Sequence, residues 1–171
     1  MKATEVLADG FGRIREVVHE TVEGLSAEEL NARLDPAANS IAWLVWHLTR
    51  VQDDHVADAS GLEQVWRAGG WAGRFNLPLP DDGIGYGHTP AQAGTVRVDS
   101  PGLLLGYYDE VHEQSLRFVR GLAAADLERI VDERWDPPVS LGVRLVSVLA
   151  DDLQHAGQAA YVRGVLQRRS A

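Results

Sequence analysis

The chain has 171 residues, 45% hydrophobic and 24% charged, an ordinary globular composition with enough length to bury a core. Its formal net charge of −9 argues against nucleic acid, which needs a basic surface, and the absence of cysteine excludes disulfides, thiolate ligands and a cysteine nucleophile. No apolar run is long enough for a membrane span and no signal-peptide core opens the chain, so one cytoplasmic domain over 1–171 is expected, with no membrane or nucleic-acid partner.

Val6, Phe11, Ile14, Val17, Val18 and Val22 recur near helical spacing and predict a first long helix over about 4–23, stopped at Gly24. Ser26-Ala-Glu-Glu29 has the form of a capping box and opens a short helix to about Arg33. Pro36 breaks the chain, and Asn39-Ser40 caps a second long helix over about 41–59. The next stretch, 60–99, is rich in glycine and proline yet carries Trp66, Trp71, Phe75, Tyr86 and His88. That is too aromatic for disorder and predicts an ordered flap with little regular structure. Ser100 as N-cap and Pro101 at the first helical position start a third helix that runs to about Arg120. Residues 124–130 read as a short helical piece, and a fourth helix follows Asp136-Pro-Pro-Val-Ser140, from Leu141 to about Arg168. Thr95-Val-Arg-Val98 is too short a β-pattern to change the class. The fold class is all-α, a four-helix bundle with a long, mostly irregular connection between its second and third long helices.

Two histidines stand on otherwise apolar helical runs. His47 follows Trp43, Leu44 and Trp46, and a polar group there needs a partner or costs about 1–3 kcal/mol. His155 lies one turn after Asp151, and an i,i+4 pair shares a helix face. If the second and fourth helices meet, His47, Asp151 and His155 supply the three protein ligands of a catalytic metal site, whose remaining position stays open. Asp152, at i−3 from His155, is the alternative carboxylate or a partner orienting that ring, and Asp54 is a candidate of the latter kind for His47. Tyr108 and His112, four apart on the third helix, could share a pocket. His19 and His88 carry no supporting pattern. Gly83-Ile-Gly-Tyr-Gly87 lacks the strand and helix of a nucleotide-binding loop and reads as a plain loop.

Asn39-Ser-Ile-Ala-Trp-Leu-Val-Trp-His47, preceded by Leu25-Ser-Ala-Glu-Glu-Leu30, and Asp151-Asp-Leu-Gln-His155-Ala-Gly-Gln158 near the end resemble the DinB-like superfamily. Gly70-Trp-Ala-Gly-Arg-Phe75, Gly85-Tyr-Gly-His88 and Trp135-Asp-Pro-Pro138 extend the likeness over roughly 20–165, nearest to the branch of mycothiol-dependent maleylpyruvate isomerase and the mycothiol S-transferases. The resemblance implies a four-helix bundle with a divalent metal, zinc first and nickel second, on His47, Asp151 and His155. Asp151 departs from the His or Glu usual at its position, and its shorter reach would weaken binding or call for a bridging water.

The resemblance further implies a metal-dependent thiol S-transferase that joins mycothiol or a similar small thiol to electrophilic small molecules in detoxification. Trp43, Trp71, Arg74, Phe75, Tyr108 and His112 are then the expected substrate or thiol pocket. An isomerase or hydrolase using metal-bound water would need the same three ligands. A non-catalytic, stress-related metal-binding bundle is the rival from another class, with the Trp43–Trp46 end of the second helix as a homodimer face.

Overall fold

The computed structural model describes residues 2–169. Its four long helices are α1 (Ala3–Val22), α3 (Ile41–Ser60), α7 (Pro101–Gly121) and α8 (Leu141–Arg169), each within about two residues of its sequence-predicted bounds. Short helices α2 (Ala27–Asn31), α4 (Val65–Ala68), α5 (Trp71–Phe75) and α6 (Pro90–Ala93) occupy the connections, with a 3₁₀ turn at Ala124–Glu128 and two strands, β1 (Ile130–Asp132) and β2 (Val139–Ser140). α1 and α3 each pack on both α7 and α8, so the bundle runs round as α1–α8–α3–α7, with α7 and α8 across the core from one another.

Local chemistry sets the helix ends. Ser26 accepts from the Glu29 amide (3.2 Å) while the Glu29 carboxylate accepts from the Ser26 amide (2.8 Å), the reciprocal bonds of a capping box. The Ser40 hydroxyl takes the Trp43 amide at 3.1 Å and starts α3, which Gly61 ends in a left-handed conformation. The expected cap at Ser100 makes no side-chain bond; α7 starts on Pro101 alone.

Two features differ from the sequence-based expectation. The piece expected to be helical over 124–130 ends at Glu128, and its last residues pair as β1 with β2, Ile130 opposite Ser140 and Asp132 opposite Val139. Strands of three and two residues leave too little alternation to read in advance. The flap over 60–99 is largely irregular, yet Trp66, Trp71 and Phe75 within it are core residues, packed with one another and against Tyr107 of α7.

The flap is tied down by a buried charged pair on α3. Asp53 accepts from the amides of Val65 and Trp66 (both 2.8 Å) and from the Tyr107 hydroxyl (2.8 Å). Arg50, fully buried 3.7 Å from Asp53, donates to Gln64, Tyr107 and the carbonyl of Gly83 and lies 4.8 Å from the Trp66 ring centre. Burial raises the Asp53 pKa, and the bonds it accepts act against that rise. These bonds hold both ends of the segment 64–83 on α3 and set the course of the loop that follows.

Candidate metal centre

His47, Asp151 and His155 come together where α3 meets α8, each offering a ligand atom within 4.8 Å of the others. α3 carries His47 inward at 3% exposure, because its neighbours Trp43, Leu44, Trp46 and Leu48 are all core. On α8 the four-residue spacing sets Asp151 and His155 on one face, with Asp151 Oδ1 3.7 Å from His155 Nε2.

The hydrogen bonds around both rings leave one nitrogen of each available. His47 Nδ1 donates to the carbonyl of Ile84, and His155 Nδ1 donates to Gln158 Oε1 at 3.0 Å. A proton held on Nδ1 leaves the Nε2 lone pair as the ligand, the tautomer-fixing arrangement found around metal-binding histidines. Burial first, with the nearby His155 and His88 adding, lowers the His47 pKa and favours the neutral ring. Asp151 Oδ2 is buried without a hydrogen-bond partner. Two imidazole nitrogens and an unsatisfied carboxylate oxygen are a donor set that suits a divalent cation such as zinc, so these residues fit the group.

The loop over 83–88 builds the remaining wall, and only part of that could be seen in the sequence. Gly85 has φ +101°, and a Cβ there would lie 2.5 Å from His47 Nδ1, so glycine is required for the loop to come this close. Tyr86 stands edge-on to His47 with ring centres 5.6 Å apart. His88, to which the sequence assigned nothing, accepts from Trp43 Nε1 at 3.2 Å and stacks on Trp46. Trp43 stacks on His47 at 4.6 Å and meets His155 edge-on at 6.2 Å. The three closely spaced glycines of Gly83-Ile-Gly-Tyr-Gly87 were the available signal.

A cleft of about 750 Å³ opens from Asp151, bounded by Tyr86, His55, Arg144, Trp135 and Gln154. Arg144 donates to His55 Nδ1 (3.0 Å) and to Asp132 Oδ2 (3.0 Å). Burial and the Arg144 charge lower the His55 pKa, while hydrogen bonds from Arg134 hold Asp132 well below the usual carboxylate range. Arg144, His55 and Asp132 are therefore paired with one another in a wall that also carries Val51, Val139 and Val148, and Tyr86 and Trp135 are each about two-thirds exposed beside it.

The structure separates the other expected site residues from this point. Asp152 is fully buried with neither oxygen hydrogen-bonded, and burial raises its pKa well above the ordinary carboxylate value. It is Asp151, not Asp152, that joins the two histidines. Asp54 accepts from Gln64 Nε2 at 2.8 Å and makes no bond to His47, because seven residues along a helix carry it about 10 Å along the axis. Trp71 donates to Glu110 at 2.8 Å, and Arg74 stacks on Trp71. Tyr108 and His112 stack on each other inside the bundle, and neither they nor Trp71, Arg74 or Phe75 touches the His47 group through a hydrogen bond or ring contact among the described residues. Of the expected pocket only Trp43 lies at the His47–Asp151–His155 group. The Trp43–Trp46 end of α3 is buried (6% and 2% exposed) and leaves no free surface for a dimer.

A family model described as mycothiol-S-transferase matches residues 6–168. Among solved structures, the crystal structure of a conserved protein of a locus from Enterococcus faecalis aligns with a TM-score of 0.89 at 31% identity, over 95% of this chain and 96% of that one. No curated protein matches the chain. No described helix is long and apolar enough to cross a membrane.

Proposed function

Because the chain belongs to the mycothiol S-transferase family, we propose that it is a metal-dependent thiol S-transferase that joins a small thiol, mycothiol first, to an electrophilic small molecule. The observation that carries this reading is the convergence of His47, Asp151 and His155, both rings hydrogen-bonded at Nδ1, at the edge of a cleft large enough for a small molecule.

His47, Asp151 and His155 would hold the metal. A divalent cation there favours the thiolate over the thiol at neutral pH and so supplies the nucleophilic form of sulfur. The chain has no cysteine, so the sulfur comes with the co-substrate. Ile84 and Gln158 fix the two histidine tautomers, and Trp43 and Tyr86 bury the His47 ring between them. In the cleft, burial and then the Arg144 charge favour neutral His55, and Arg144 donating to Nδ1 leaves the proton on Nε2 as a hydrogen-bond donor for a substrate oxygen. The exposed rings of Tyr86 and Trp135 offer apolar faces to the remainder of the substrate. Conjugation of electrophiles in this way is a detoxification reaction.

The test is metal content by mass spectrometry on untagged wild type, His47→Ala and His155→Ala, followed by loss of an electrophile with mycothiol, bacillithiol or glutathione. Near-stoichiometric metal in wild type, lost in both variants, together with thiol-dependent turnover, is the expected result. Metal-loaded protein that consumes no electrophile with any of the three thiols overturns the transferase reading.

A further inference from the structure

α8 keeps a long uncharged face away from the core. Val143, Val146, Ala150, Leu153, Gly157 and Ala160 are all exposed and recur at alternating steps of three and four, the 3.5-residue period of a helix-pairing seam. Val143, Val146 and Leu153 are each more than half exposed, and Tyr161 at the end of the seam is 67% exposed. The other exposed positions between 143 and 161 are Ser147, Gln154 and Gln158, so no charged side chain stands exposed over five helical turns of a chain that is 24% charged. Monomeric proteins rarely expose such a strip, and charge depletion with an apolar centre is the signature of interface cores.

We infer that this face pairs with the α8 of a second copy of the chain, antiparallel about a two-fold axis between Ala150 and Leu153. In a two-fold interface residue i meets j while j meets i. Antiparallel pairing about that point sets Val143 against Ala160, Val146 against Gly157, and Ala150 against Leu153. Every large side chain then faces a small one, which is the interdigitation that close helix packing requires. Parallel pairing would instead put Val146 on Val146 and Gly157 on Gly157, a clash beside a void. The seam is self-complementary in one direction only, which favours a second copy over an unrelated partner. Charge points the same way. Two chains of net charge −9 repel one another, and an uncharged face is where their approach costs least.

The pairing bears on the cleft. Val143, Ser147, Ala150 and Gln154 of α8 belong both to this face or its flank and to the cleft rim. A second copy laid along α8 therefore closes one side of an opening that a single chain leaves to solvent. Neither the pairing nor its test depends on the chemistry of the metal-binding group.

Sedimentation velocity over a dilution series tests the mass, with twice the 18.7 kDa of one chain expected. Leu153→Glu changes a side chain already exposed in the single chain, so helicity is retained while the dimer dissociation constant rises by roughly tenfold or more. Gly157→Val, whose Cβ meets nothing within 4 Å in the single chain, weakens the dimer by facing Val146, and adding Val146→Ala restores it. Because the chain has no cysteine, register can be read by cross-linking. A mixture of Val146→Cys and Gly157→Cys proteins forms disulfide-linked unlike pairs, and Val146→Cys alone forms none. A monomer at every concentration, a dimer indifferent to Leu153→Glu, or cross-linking of Val146→Cys with itself overturns the proposal.

Discussion

Gly85 lies so close to His47 that a single added carbon would stand 2.5 Å from the ring nitrogen that donates to Ile84. The loop and the histidine are therefore one unit: the loop's carbonyl fixes the tautomer, and the ring's position excludes any side chain at residue 85. Gly85→Ala also meets a φ of +101°, which a side chain tolerates poorly. The expected outcome is a loss of about 1–3 kcal/mol in stability and, with the Ile84 bond broken, a zinc affinity lower by roughly 10–100-fold. Thermal melting and a chelator competition titration measure the two effects. Unchanged zinc affinity would show that the Ile84 bond does not orient a ligand.

Gln158 gives a cleaner version of the same argument, because it is exposed and its removal disturbs no packing. It holds His155 Nδ1 at 3.0 Å, so Gln158→Leu frees the ring to rotate and to place its proton on either nitrogen. Metal affinity should fall by roughly tenfold with the apo melting temperature unmoved. Apo destabilisation of the same size as the binding loss would assign Gln158 a merely structural role.

The sequence made the four long helices legible because their apolar residues repeat with a helical period and their ends carry Ser, Pro and Gly signals. His47, Asp151 and His155 were legible for a related reason: two are one turn apart, and the third sits in a run too apolar for an unpartnered imidazole. The loop at 83–88 was not, because a path through positive-φ glycines is chosen by what it packs against, here Trp46 and His47. The chain Asp132–Arg144–His55 joins residues 12 and 89 positions apart and follows no local period. Arg50 and Asp53 were overlooked because charged residues on a helix usually face water, and only the returning flap makes their burial possible. Trp71 and Phe75 were assigned to the pocket because aromatic residues serve equally well as core, and composition alone does not separate the two uses.

Asp53 is where the flap's attachment can be tested. Its carboxylate takes two backbone amides and the Tyr107 hydroxyl, and its loss also leaves Arg50 buried without a counter-charge. Asp53→Ala should cost about 3–5 kcal/mol in urea unfolding. The double variant Arg50→Met, Asp53→Ala should recover part of that loss, since the uncompensated charge is gone. Losses that simply add would mean the two residues act independently.

His112 sets a pH dependence away from the His47–Asp151–His155 group. It is buried at 5% exposure on α7, stacked on Tyr108, with Nδ1 unpartnered. Burial first, then the charge of Arg15 on α1, lowers its pKa to about 4; Asp109 on its own helix acts against the shift, while Arg120 and His19 add to it. A depressed folded value means that the unfolded chain takes up the proton first. The contribution is therefore complete above the unfolded value of about 6.5 and is lost as pH falls from there through about 4. With partial solvent screening the loss should reach about 1–2 kcal/mol. Replacing the imidazole in His112→Phe keeps an aromatic ring against Tyr108 and removes the titration. Urea midpoints of the variant should then fall less steeply than wild type between pH 6.5 and 4. Parallel slopes in the two proteins would assign the acid sensitivity to other groups.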